Sequence, residues 1–506
     1  MAVADLEKSR HSESVTEEPV PHTAMPRQED SSDFTEEEWA LDKEAVRRLD
    51  WTLLPLCAIA YLLNFLDRSN FGNAKVAGMQ KDLGLSTHQY LVCLTMTYVL
   101  YITFEFPSNM LLKRVGANIL IPAMIIGWGT VCCLTGFAES YHGLLIARLF
   151  LGFAESGLFP GLVLYLSMFY RRRELQTRIS LFFSAASLSG AFSGLLAAAI
   201  INLDGKGAGS FTQGWRWIFF LEGAITILFG IILIPLLPAT PETARFLTPV
   251  QRAHIARRLR LDSPAGANDF DEKFSWAEAR KSATSPHVIF LFIALFGNGI
   301  TLYGFSYFTP TIVGTFGYNT VQTQLLTVPP YVLAFLLTMI NAYLSDRFGA
   351  RGICAIAMSL LALVGYIIFY KTLTVAGRYT ALFLAISGVY STSPALVTWL
   401  PNNSAGHYRK ATSVALGFIA TNSGGIASTW LFDASSDPHY YKASEVLIGM
   451  TCMIILFCTI NLVYLRHVNA KKALQRAEDE KYGKHEISGQ EWAEQGDKHA
   501  HFVYSY

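Results

Sequence analysis

Asn-Ala-Tyr-Leu-Ser-Asp-Arg-Phe-Gly-Ala-Arg, residues 341–351, is a short basic turn set between two long apolar runs. An earlier stretch, Pro-Ser-Asn-Met-Leu-Leu-Lys-Arg-Val-Gly at 107–116, repeats the device with its own cations and glycine. Working outward from the two turns, twelve apolar runs emerge: 51–70, 87–111, 118–138, 142–169, 178–202, 215–237, 287–313, 322–344, 352–371, 377–400, 411–432 and 444–466. Most are near the roughly 20 residues that a membrane-spanning helix needs. The two turns follow the second and eighth runs, so the chain reads as a duplicated six-span unit. Pro310 and Pro394 interrupt runs seven and ten, which makes these the weakest assignments. The runs are too long, and alternate too little, for a β-barrel.

Composition agrees. Of 506 residues, 52% are hydrophobic and 16% charged, against roughly 25% charged in soluble domains. The net charge of +1 offers no basic excess for a phosphate backbone, so nucleic acid is not an expected partner. Lys113, Arg114, Arg171, Arg172, Arg173, Arg347, Arg351, Arg409 and Lys410 fall in alternate loops on one side. That asymmetry makes the side cytoplasmic and puts both ends of the chain there. The expected division is a disordered cytoplasmic tail at 1–48, a six-helix bundle at 49–237 and a linker loop at 238–286. A second bundle at 287–467 and a cytoplasmic tail at 468–506 complete it. All seven cysteines lie within spans, where thiols pack as small hydrophobes, and none has metal-ligand spacing.

Several motifs carry a family resemblance. Asp346-Arg347-Phe348-Gly349-Ala350-Arg351 resembles the cytoplasmic signature of the major facilitator superfamily. Arg148 to Gly157 resembles its span-four motif, and Gly214 to Gly223 the start of span six. Leu66 to Asn70, with Gly72 to Lys75 and Phe104 to Asn109, resembles the anion:cation symporter family, in its fungal allantoate permease and nicotinate transporter-like group. The resemblance covers about 45–470 and departs at Lys113, where the superfamily has Asp. It implies an all-α polytopic membrane protein with twelve transmembrane helices in two six-helix bundles, each built from 3+3 inverted repeats. It also implies secondary active transport of a small organic anion.

Charges inside spans point to mechanism, since each costs roughly 2.5–3.5 kcal/mol to insert. Asp67, Arg68, Glu105, Arg148, Glu155 and Glu222 are such residues. Arg148, with Arg68, is expected to hold a substrate carboxylate through a two-point guanidinium contact. Asp67 and Glu155 are expected to carry the coupled proton, because burial and a nearby Arg pull a carboxyl's proton affinity in opposite directions. Matching depths leave an Asp67–Arg148 pair open. Proton-coupled members of the family use an Asp-Arg pair in span one and an Arg and a Glu in span four, which match these four residues. The bland reading is that the charges only staple helices together.

Tyr101 and Asn422 match polar binding positions of bacterial relatives; Trp399 is a candidate to stack on a substrate ring, against the favoured reading of packing, since membrane Trp commonly marks an interface. Glu105 reads as a gate or structural residue. Glu222 and Arg216 read as outer-end contacts of span six. Asp346, Arg347 and Arg351 are expected to form a cytoplasmic gate by ion pairing.

The leading expectation is a proton-coupled importer of a carboxylate such as a vitamin or an allantoate-like nitrogen compound. It would work as a monomer in the plasma membrane, with lipid, protons and the anion as partners. The proton gradient would be its energy source, with no cofactor and no metal. The alternative is an exporter of an acidic metabolite. An enzyme is disfavoured because no nucleophile or metal constellation accompanies the spans, and no Walker-type phosphate loop points to ATP.

Overall fold

The computed structural model describes residues 34–206, 212–262, 276–405, 407–431, 440–481 and 495–506. Among these residues there are twelve long helices and no strand. They are α1 Glu36–Val76, α2 Thr87–Val115, α3 Ala117–Thr135, α4 Tyr141–Ser167, α5 Arg172–Ile200 and α6 Gly214–Leu236. The second half has α7 Pro286–Gly314, α8 Thr320–Phe348, α9 Arg351–Lys371, α10 Val375–Asn402, α11 His407–Thr429 and α12 Tyr441–Lys481. Ten are long and apolar enough to cross a membrane by that measure alone. The exceptions, α2 and α11, are more polar, and they face each other: the Thr95 and Thr429 hydroxyls are 3.1 Å apart. Residues lining a protein interface need not be apolar, so polarity there is compatible with a place in the bundle.

The packing repeats. In the first half α1 packs on α5, α2 on α4 and α3 on α6. In the second half α7 packs on α11, α8 on α10 and α9 on α12. Adding six to each helix number converts the first set into the second. Within the first half, exchanging helices one to three with four to six also maps the pairs onto themselves, which is the inverted-repeat pattern. The halves meet through α1 with α7, α2 with α11, and α5 with α8.

Burial follows this arrangement. The faces of α3, α6, α9 and α12 that carry Ile119, Leu228, Ile234, Leu360, Val364 and Val463 are exposed and apolar, as contact with lipid requires. The central helices α7 and α10 are mostly buried. Pro310 and Pro394 lie inside helices that continue through them. Just beyond Pro394, the Thr398 hydroxyl donates to the Pro394 carbonyl one turn back at 2.7 Å.

We call the end of the bundle bearing Glu36 and Lys481 the near end. There α1 begins inside the stretch expected to be tail, with a capping box in which Thr35 and Glu38 each accept from the other's backbone N–H. At 41 residues α1 is about 60 Å long, roughly twice a bilayer's hydrocarbon thickness, so its first turns stand outside. A linker helix, Pro249–Asp262, is clipped to them. Asp42 accepts from His254 and Arg258 at 2.9 Å each, Arg258 also pairs with Glu174, and Arg257 reaches Glu38 at 2.7 Å. Arg178 makes a two-point contact with Asp50 at 2.7 and 2.8 Å. The disorder expected for 1–33 falls outside the described residues, as do the side chains of Lys113 and Arg114.

Residues 495–506 pack against the near end of the second half. Tyr504 exchanges backbone hydrogen bonds with the Asn469 side chain, and Ser505 does the same with Asn403. Arg409 joins Asp497 and Glu278, each at 2.5 Å. Although partial burial pulls the other way, hydrogen bonds from Lys281 and Arg409 hold the Glu278 carboxyl below its usual range.

Toward the far end the halves touch closely. A methyl group at Gly72 would overlap the carbonyl oxygen of Tyr307, and one at Gly190 would overlap the ring of Tyr331. Both contacts cross between halves. Overpacking such a contact costs roughly 1–3 kcal/mol, enough to shift a two-state equilibrium about tenfold. Gly72→Leu should therefore hold the far end open. Cysteine-labelling from that side should rise and transport should fall, while the protein still reaches the membrane. Unchanged transport would show that this approach is not part of the cycle.

Candidate functional site

Arg68 on α1 is the centre of the site. It is 4% exposed and sits where α1 faces α7. Its Nη1 donates to the Tyr303 hydroxyl at 2.7 Å, and that hydroxyl donates to Asn422 Oδ1 at 3.2 Å. Its Nε lies 3.5 Å from Glu155 Oε2. The rings of Tyr101, Tyr303, Phe65 and Tyr98 surround the guanidinium at 5.0, 5.2, 5.4 and 5.9 Å. Such aromatic faces stabilise a cation that has left water. One side chain thus forms an ion pair with α4 of its own half and, through Tyr303, hydrogen-bonds to α7 and α11 of the other. A second bridge, between the Tyr98 and Tyr307 hydroxyls at 2.8 Å, runs beside it.

Local chain geometry places Glu155. It is the last residue of the first segment of α4, which breaks at Ser156 and resumes at Leu158. Gly157 has φ +83° there, a left-handed value that suits glycine, and a methyl group on it would collide with Ser108. The Ser156 and Ser108 hydroxyls meet at 3.0 Å. The break therefore fixes α4 against α2 and leaves Glu155 fully buried beside Arg68.

Asp67 and Arg68 are neighbours in sequence, so they leave the helix about 100° apart. Arg68 faces the other half, whereas Asp67 turns into its own. Asp67 accepts from Cys132 Sγ at 3.2 Å and from Asn70 Nδ2 at 3.4 Å. Arg148 stands over the Phe71 ring at 3.9 Å and near Phe219 at 5.5 Å, and its Nε has no hydrogen-bond partner. The Asp67–Arg148 ion pair that matching depths left open does not form in this conformation. Matching depth did not bring the groups into contact because Phe71 occupies the face of Arg148. Tyr101 and Asn422 do join the Arg68 cluster.

Trp399 is elsewhere. It lies at the near end of α10, its indole N–H donates to the Ser505 carbonyl at 2.9 Å, and its ring meets His287 edge-on. The expected stacking on a substrate ring is corrected to a packing role, because the docked 495–506 segment covers it. Arg351 pairs with Asp346 at 3.1 Å and also donates to the Thr398 carbonyl at 3.2 Å. Arg347 donates to the Tyr343 hydroxyl at 3.0 Å on the surface. These contacts of the expected gate stay within the second half. Gly349, with φ +60°, closes α8 in the left-handed conformation and makes this tight turn feasible.

Sequence reading missed Tyr303, Tyr98 and Tyr307. The signal was present as a run of polar side chains inside span seven: Asn298, Thr301, Tyr303, Ser306, Tyr307 and Thr309, all buried. Asn298 accepts from Ser393 at 2.6 Å, and its amide nitrogen is unsatisfied, as is that of Asn422.

The family model of the Major Facilitator Superfamily matches residues 57–429. The chain belongs to this superfamily. An uncharacterised transporter of Schizosaccharomyces pombe is 36% identical over 84% of each chain. The high-affinity nicotinic acid transporter of Saccharomyces cerevisiae is 29% identical over 86% of this chain and 80% of its own length. Among solved structures, an inward-facing bacterial homologue of the human lysosomal transporter Spinster superposes with a TM-score of 0.64. It is 16% identical and covers 81% of this chain and 96% of its own. The facilitator fold explains why two six-helix units meet around Arg68, and the protein is a membrane transporter, not an enzyme.

Two substitutions separate the site from its scaffold. Tyr303→Phe removes the bond that joins Arg68 to Asn422, and a hydrogen bond to a charged group is worth about 1.5–3 kcal/mol. Transport should fall about tenfold or more, with little change in thermal stability. Trp399→Phe should lower the unfolding temperature and leave the apparent affinity for substrate unchanged. The reverse pattern would return Trp399 to the substrate site.

Proposed function

We propose that the protein is a proton-coupled symporter that imports a small organic anion by alternating access. The observation that carries this reading is the shared guanidinium: Arg68 holds Glu155 on one side and bonds through Tyr303 to the opposite half on the other. A substrate carboxylate arriving at Arg68 competes with Glu155. Losing its cation while buried, Glu155 then favours the protonated form. A neutral Glu155 and a substrate-bound Arg68 leave the centre without an unpaired charge, which eases the passage of the halves past one another. When the proton leaves, the carboxylate reclaims Arg68 and expels the substrate.

Other features support an anion. Lys75 and Lys81 line a far-end depression of about 480 Å³ and give it a cationic lip. The rings around Arg68 suit a flat, ring-bearing carboxylate. The relative named for nicotinic acid transport makes that acid the first substrate to try. We place the near end in the cytoplasm, with the chain in the plasma membrane, because the cationic loops gather there. The symport is assigned to a monomer, with the proton gradient as its energy source. No metal or cofactor takes part.

Uptake of a labelled carboxylate panel, nicotinate included, into a transport-deficient yeast tests the reading. Uptake should be faster at pH 5 than at pH 7 and should collapse with an uncoupler. Glu155→Gln should abolish accumulation against the gradient while exchange continues. Accumulation that ignores the uncoupler, or that survives Glu155→Gln, would refute proton symport through this residue.

A further inference from the structure

Glu222 lies on α6, apart from the Arg68 centre and fully buried. It accepts a hydrogen bond from Asn70 Nδ2, the same amide nitrogen that donates to Asp67 Oδ1 at 3.4 Å. One NH2 group therefore links two carboxyls, from α1 and α6, with one N–H for each. Their other oxygens, Glu222 Oε1 and Asp67 Oδ2, have no hydrogen-bond partner. The surroundings do not neutralise the pair. Cys132 from α3 donates its thiol to Asp67, and Cys133 holds its own thiol against the Phe220 carbonyl. The fully buried indole N–H of Trp128, also on α3, faces Asp67 without closing a hydrogen bond, and the hydroxyl of Thr226, one turn beyond Glu222, is likewise unpaired. From α5, Ser193 contacts Asn70 and Asn73. From α4, Arg148 is the nearest cation, but it sits over Phe71 and forms no ion pair with either carboxyl, and Glu155 is held by Arg68.

Two buried carboxylates that share one amide, with no cation in contact, cannot both stay ionised. A proton on one turns it into a donor and removes the repulsion. We propose that Glu222 and Asp67 form a second proton-binding site inside the first half, in which Glu222 stores the proton that Asp67 exchanges. This rests on the symport reading above and deepens it. The proton moves from the Glu222 carboxyl to the Asp67 carboxylate, leaving Glu222 ionised and Asp67 neutral, so charge and atoms balance. Asn70 keeps both groups in register whichever one holds it. Asp67 turns away from Arg68 into its own half, so the site can load without displacing substrate from Arg68.

The test is pH-difference infrared spectroscopy on the full-length protein in lipid, with gradient-driven nicotinate uptake measured on the same variants. Wild type should show a titrating protonated-carboxyl band. Glu222→Gln should remove one carboxyl's contribution, and Glu222→Asp should restore it. Asn70→Leu keeps both carboxyls but cuts the bridge, and should move the midpoint by about one pH unit or more, tenfold in proton affinity. Accumulation should fall more than about tenfold in Glu222→Gln, a change equivalent to losing one proton's share of a unit pH gradient, and recover in Glu222→Asp. An unchanged spectrum and unchanged accumulation in a folded Glu222→Gln protein would overturn the proposal. Wild-type uptake of every carboxylate tried that ignores the proton gradient would instead overturn the symport reading, and uptake that follows a sodium gradient would overturn both.

Discussion

A buried guanidinium has to be answered, and in this protein the answer is divided between two halves of the molecule. Arg68 is held by Glu155 from its own bundle and by Tyr303 from the other. Losing a hydrogen bond from a buried charged group costs about 1.5–3 kcal/mol. Any motion that parts the halves removes Tyr303 and must supply another acceptor. The carboxylate of the proposed substrate would be such an acceptor. The same constraint explains the aromatic rings around Arg68, which soften the cost of its burial without fixing its partner.

The rest of the architecture serves that constraint. Pairings that repeat with an offset of six helices give the halves matching faces, and small residues such as Gly72 and Gly190 let them close toward the far end. Near-end ionic clips involving Asp42, Arg258 and Glu174 tie the linker helix Pro249–Asp262 to the first half. Those involving Arg409, Glu278 and Asp497 tie the end of the linker and the tail to the second. Each half is therefore braced within itself at that end. Bracing of this kind suits rigid-body rocking, in which hydrogen bonds between the halves exchange while those within them persist.

Much of the fold was legible in the sequence, because length, hydropathy and the two basic turns all report on local chain. The prolines of α7 and α10 weakened the reading but not the helices, which continue through them. The site was legible as a set of residue types and only partly as an arrangement. Arg68, Glu155, Tyr101 and Asn422 come together. Asp67 and Arg148 are at compatible depths but point to different neighbours, which depends on helix rotation. The packing of Trp399 was legible as a possibility but its partner was not, because Ser505 is more than a hundred residues away in a segment read as a tail. Tyr303 was missed because the polar run of span seven that contains it carries no charge to draw attention.

The central claim is that substrate and proton meet through one competition at Arg68. It is tested most directly by adding the transported carboxylate to purified protein in weakly buffered solution and following the pH. Binding should draw about one proton per protein from the medium, and Glu155→Gln should abolish the uptake. Substrate binding with no proton uptake, or uptake of the same size in Glu155→Gln, would contradict the account.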